Sequence, residues 1–156
     1  MKIREAVRGV VLDPDDRTVL VHFDFGQRTV WATPGGGIDP GEPDERALRR
    51  ELAEELGLED LDIGPHVWVR EHIFQKPLGT YDGQRERYYL VRTTCSELRP
   101  HLTLAQLRAE YVTDMRWWTI EEIEASDEAF APTRMAEWLR RLVADGPPEN
   151  PIDVGV

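Results

Sequence analysis

Three glutamates, Glu51, Glu54 and Glu55, stand three and four residues apart in the run ERALRRELAEEL that begins at Glu45. On a helix, residues at these separations lie side by side, and at about 100° per residue the three carboxylates fall within an arc of roughly 100°. Leu48, Leu52 and Leu56 form a separate stripe, centred roughly 110° away, that suits burial. Like charges at such spacings cost an isolated helix a few tenths of a kcal/mol per pair, and a cation would remove that cost. Mg²⁺ is suited to the task. It takes oxygen ligands, keeps several waters, and is typically held by one or two carboxylates together with substrate phosphates. The plainer use of the same residues is a solvated acidic face laced by Glu45–Arg49 and Arg50–Glu54 pairs.

The segment ahead of the helix favours chemistry. Pro34-Gly35-Gly36-Gly37 is expected to be neither a strand interior nor a helix start. Its glycines permit positive φ, so the loop can aim carbonyls or amides at a metal or a phosphate. Ala47, one turn before Glu51, is small enough to let a loop or a phosphate approach.

The fixed positions read Gly36, five residues, Glu42, seven residues, Arg50-Glu51-Leu52, one residue, Glu54-Glu55, one residue, Gly57-Leu58. This pattern resembles the Nudix box, the signature of hydrolases acting on a nucleoside diphosphate linked to another moiety. The resemblance implies an α/β/α sandwich with a mixed sheet and Mg²⁺-dependent attack of water on a phosphorus, with Mn²⁺ as a substitute metal. It places the metal on Glu51, Glu54, Glu55 and the Gly35 carbonyl, with Glu51 doubling as general base. Arg50, always cationic, would hold a box glutamate in position. A further acidic ligand from outside the box is expected at Glu110, with Glu86 as the second candidate. Glu42 is expected to cap the helix or to meet a metal through water. The alternative class is a nucleotide-sensing binding module with this fold and little turnover. Neither Pro77 nor Tyr81 falls cleanly where related hydrolases carry a substrate marker, so no particular nucleoside diphosphate derivative is assigned.

The remaining residues must build a frame for this site. A chain of 156 residues is the length of one domain, expected over residues 1–145, and 40% hydrophobic residues with five tryptophans argue against disorder. Ile3 to Leu12 and Thr18 to Phe23 read as strands joined by an Asp13–Asp16 turn, and Val30 to Thr33 as a short extended segment delivering the glycines. Trp31 suits core packing better than base stacking. The box helix is expected from about Pro43 to Leu56, stopped by Gly57. Val67–Val69 with Ile73-Phe74, and Arg87–Thr93, read as strands of a hairpin turned by residues 77–83. Pro100–Glu110 should hold one helical turn, Met115–Thr119 a strand, and Ile120–Ile123 a helical turn capped by Thr119. Pro132–Ala144 should form a closing amphipathic helix, and residues 146–156 a Pro-rich tail with no ladder capacity. Strands with hairpins and a crossover between helices give an α+β class.

A formal charge of −11 repels duplex nucleic acid and anionic membranes. A small-molecule nucleoside diphosphate derivative would need metal or a local arginine cluster, for which Arg85, Arg87 and Arg92 are candidates. Cys95 is the only cysteine, so no internal disulfide forms, and it reads as structural. No signal-like or membrane-length apolar run is present, which points to a cytoplasmic protein. Exposed aromatics such as Trp68 or Phe130 are candidates for a homodimer contact.

Overall fold

The computed structural model describes the backbone of residues 1–156 and every side chain outside residues 75–78, so the side chain of Pro77 lies outside the described residues. In chain order the elements are β1 (Ile3–Leu12), β2 (Thr18–Asp24), β3 (Thr29–Ala32), β4 (Gly35–Gly37), α1 (Asp44–Leu56), β5 (Asp62–Leu78), β6 (Tyr81–Arg92), α2 (Leu104–Ala109), β7 (Val112–Trp118), α3 (Ile120–Ala125), β8 (Phe130–Ala131), α4 (Met135–Asp145) and β9 (Ile152–Asp153).

The strands form one mixed sheet in the order β8-β3-β2-β1-β6-β5-β9, with β4 beside β1 and β7 beside β2. β1 runs parallel to β6 over its whole length, from Ile3↔Gly83 to Leu12↔Arg92, and touches β2 only at Leu12↔Thr18. The sheet therefore splits along β1. The short strand β4 occupies the opening, antiparallel to β1 through Ala6↔Gly37, Val7↔Gly36 and Arg8↔Gly35.

Side chains alternate along β1, and each face meets a different helical layer. Val7 and Val11 join Val19, Val21 and Val91 against Leu48, Leu52 and Leu56 of α1. Val10 and Leu12 join Trp68, Tyr88 and Trp118 against Ile123 of α3 and Met135, Trp138, Leu139 and Leu142 of α4. The result is the α/β/α sandwich expected of an α+β chain. Each fully buried leucine contributes on the order of 1.5–3 kcal/mol.

Several expectations need correction. The glycines do form a strand, because β4 lies too close to its neighbours for side chains, and a Cβ on Gly36 would stand 2.6 Å from the Glu51 carboxylate. Residues 146–156 contain β9, paired in parallel with β5 at Trp68↔Ile152 and Val69↔Asp153, and Val154 is buried. Pro151 stands just outside this edge strand, where its missing N–H costs no ladder bond. Trp68 is only 1% exposed and so offers no dimer contact, while Phe130 is half-buried against the same core. Ala47 is fully buried, and no phosphate reaches it. Cys95 is exposed and has no packing role. Arg85, Arg87 and Arg92 form no free cationic cluster: they pair with Glu5 and Glu71, with Asp44 and Glu5, and with Asp16. The first box-helix residue is Asp44, with Pro43 as its N-cap. Among the described residues no helix is long and apolar enough to cross a membrane.

Candidate active site

Helix α1 is fixed at both ends. At its start, Arg87 donates two hydrogen bonds to Asp44, at 2.7 and 2.8 Å, and Tyr89 Oη donates a third at 2.5 Å. These bonds, Arg87's first, hold the Asp44 carboxyl below the usual range against the opposing effect of partial burial. At its end, Gly57 takes the left-handed conformation at φ 71° and donates to Ala53 O at 2.9 Å. The carbonyls of Leu56 and Glu54, which a helix end leaves without internal donors, accept from the amides of Arg99, His101 and Leu102 at 2.9–3.1 Å. The same segment leads into α2, whose C-cap is Glu110.

Arg50 gathers the box. Its Nε and Nη2 donate to the two oxygens of Glu42 at 3.0 and 2.9 Å, Nη2 also to Gly37 O at 3.1 Å, and Nη1 to Glu51 at 3.0 Å. Glu54 stands 3.6 Å from Nη1. One guanidinium thus ties Glu42, Glu51 and the Gly37 carbonyl together. Glu42 neither caps the helix nor stands free for a metal; Arg50 and the Asp39 amide, 3.1 Å away, hold its carboxyl down at about 2.

Glu55 turns inward. It is 2% exposed and accepts from the Gly35 amide at 3.1 Å. Burial pushes its carboxyl up to about 8; the Arg8 charge and the Gly35 amide counter this, while the charges of Glu51 and Glu110 add to it. Burial also raises Glu51, opposed by Arg50 and reinforced by Glu54 and Glu110. The structure therefore brings Glu110 within electrostatic reach of two box glutamates. Glu86 sits apart. It pairs with Arg8 at 2.6 Å and Arg70 at 2.7 Å, and its oxygens are committed to those two guanidiniums.

Sequence reasoning passed over Arg8. It donates to Thr33 O at 3.2 Å and Gly35 O at 3.4 Å, and so ties the glycine strand to Glu86. The signal was present: an arginine within the apolar run AVRGVVL demands a buried partner. Asp44, which Arg87 and Tyr89 hold to anchor α1, carries no such signal in the sequence.

The donors in this site are carboxylates and a backbone carbonyl, a set of hard oxygens suited to a hard divalent cation. Their mutual repulsion is what a cation would relieve. Among the described residues, however, no three acidic, histidine or cysteine side chains converge as tightly as metal ligation requires. Glu51 and Glu54 lean on Arg50, and Glu55 on the Gly35 amide. Binding a metal calls for side-chain rotation, for which the partly exposed Glu54 has room.

Comparison with known proteins agrees with the fold and the box. RNA pyrophosphohydrolase from Yersinia enterocolitica is 35% identical over 99 residues, covering 57% of this chain and 55% of that protein. The chain thus spans about half the length of the curated relatives it matches. Among solved structures, the Escherichia coli ORF135 protein superposes with a TM-score of 0.64 at 24% identity over 96% of both chains. The NUDIX domain of Shewanella oneidensis NrtR, solved with ADP ribose, gives 0.67 at 17% identity over 92% of this chain and 90% of that one. The NUDIX domain family profile matches residues 2–144, and the chain belongs to that family.

Proposed function

We propose that the protein is a metal-dependent pyrophosphohydrolase that cleaves a nucleoside diphosphate linked to another moiety. Water attacks one phosphorus of the anhydride, the bond to the bridging oxygen breaks, and each half leaves carrying a phosphate. The reading is supported above all by the strip of Glu51, Glu54 and Glu55 on α1 beside a glycine strand, where Arg8 holds the Gly35 carbonyl and Glu55 accepts from the Gly35 amide. When bound, Mg²⁺ or Mn²⁺ would neutralise phosphate charge and supply a more acidic water.

The chain's own residues divide the work. Glu51, Glu54, Glu55, Glu110 and the Gly35 carbonyl would hold the ion. Arg50 orients Glu51 and Glu54, and Arg8 orients Gly35. Glu51 is the candidate to take the proton from the attacking water. Related proteins bear names that point to different substrates, an RNA pyrophosphohydrolase and a NUDIX domain complexed with ADP ribose. A screen of nucleoside diphosphate derivatives with Mg²⁺ or Mn²⁺ identifies the substrate. Glu54→Gln and Glu55→Gln should each abolish release of monophosphate while preserving the circular dichroism spectrum. Turnover equal to wild type in both variants would sink the assignment. Binding of a nucleotide without turnover in the wild type would favour the sensing module.

A further inference from the structure

The sheet face turned away from α1 changes character along its length. One end, with Val10, Leu12, Trp68, Tyr88 and Leu90, is buried with α3 and α4. The other end is polar. Alternation along the strands and the registers Arg70↔Glu86 and His72↔Gln84 put Arg70 and His72 beside Glu86 and Gln84. The neighbouring strand β1 adds Arg8 and Arg4, which bond to Glu86 and Gln84 respectively. At the outer margin of this patch a cavity of about 510 Å³ opens, lined by Arg4, Phe74, Gly79, Thr80, Tyr81 and Gln84.

Three features define what this cavity suits. First, Arg4 forms no ion pair among the described residues, in a chain with a net charge of −11. It donates to Gln84 Oε1 at 3.1 Å, which anchors the guanidinium and leaves donors for an anion. Second, two aromatic rings, Phe74 and Tyr81, line the wall, and Lys2 Nζ stands 5.1 Å from the Tyr81 centroid. Third, the cavity adjoins the box through consecutive glycines. A Cβ on Gly37 would stand 2.7 Å from Arg4 Nε, just as one on Gly36 would meet Glu51 on the opposite face. β4 pairs with β1 alone, which leaves its other edge without a neighbouring strand.

We propose that this cavity holds the nucleobase of the substrate, stacked against Phe74 and Tyr81, with Arg4 taking an oxygen of the adjoining phosphate. The identity of the ligand as substrate rests on the hydrolase reading; its binding does not. The Gln84 amide is engaged on both sides, by Arg4 and by Glu86 at 3.2 Å. The two ring faces, which every base can stack on, carry most of the recognition, so purines and pyrimidines are both accepted.

The test is calorimetric titration of adenosine monophosphate, cytidine monophosphate and ribose 5-phosphate into the metal-free protein, with turnover assayed in parallel. Phe74→Leu and Tyr81→Leu should each weaken both nucleotides about tenfold, the scale of one lost base stack, and leave ribose 5-phosphate unaffected. Arg4→Gln should weaken all three ligands. In turnover, the leucine variants should raise KM by a similar factor with kcat held. Nucleotide affinities equal in wild type and leucine variants, or absent in the wild type, would overturn the proposal. Stacking-dependent binding without hydrolysis of any derivative would keep the cavity and sink the hydrolase reading. Hydrolysis with an unchanged KM in every variant would do the reverse.

Discussion

Arg50 spreads one guanidinium over Glu42, Glu51 and the Gly37 carbonyl, with Glu54 in reach. A lysine keeps the charge but lacks the planar fork, so Glu42 and Glu51 could no longer be held together. Arg50→Lys should lower metal affinity or activity by about 10–100-fold, the usual cost of losing a partner that orients a ligand; metal titration of the variant measures it. Glu55 gives a second prediction. Its folded pKa, about 8, lies above the ordinary value of 4.5. Its favourable contribution is therefore complete below pH 4.5 and lost as pH rises through 8. A glutamine never ionises. In metal-free protein at pH 8.5, Glu55→Gln should melt no lower than wild type although it is inactive, and a clearly lower melting temperature would contradict this account of the burial.

At the scale of elements, the joint between α1 and the segment at residues 99–102 fixes where Glu110 arrives. Gly57 is its pivot, at φ 71° and packed so tightly that a Cβ would run into the Arg99 carbonyl. Gly57→Ala should cost at least about 2 kcal/mol, since the left-handed conformation alone costs an ordinary residue 1–2. That corresponds to a fall in melting temperature of roughly 4–8 °C in thermal unfolding. α1 itself was legible in the sequence, because caps, a leucine stripe and a C-terminal glycine are local signals. The carboxylate strip was legible for the same reason. β4 and β9 were not: three glycines and a two-residue strand carry no periodicity, and only the neighbouring strand supplies their ladder. Nor could composition reveal that Arg85 and Arg87 are spent on Glu5, Glu71 and Asp44, since those pairs form across strands and layers.

For the molecule as a whole, the Arg8–Glu86–Arg70 group joins β1, β6 and β5 beneath the site. Burial alone would raise the Glu86 carboxyl, but the two arginine charges and their hydrogen bonds outweigh it and hold it at about 2, below the ordinary 4.5. Its stabilising contribution is present above pH 4.5 and is lost as pH falls through 2. Resistance to urea should therefore fall between pH 5 and pH 3. Glu86→Gln should flatten that dependence while being less stable at pH 7 by about 3–5 kcal/mol, the scale of a broken buried pair. The parallel ladder between β1 and β6 has a consequence for biosynthesis. Ile3 faces Gly83, 80 residues later, and at about 5–20 residues per second the ribosome needs roughly 4–16 s to deliver that partner. Through that interval the Val10-Val11-Leu12 run lacks its parallel partner Leu90-Val91-Arg92, a nascent apolar segment suited to chaperone capture until translation has passed Arg92.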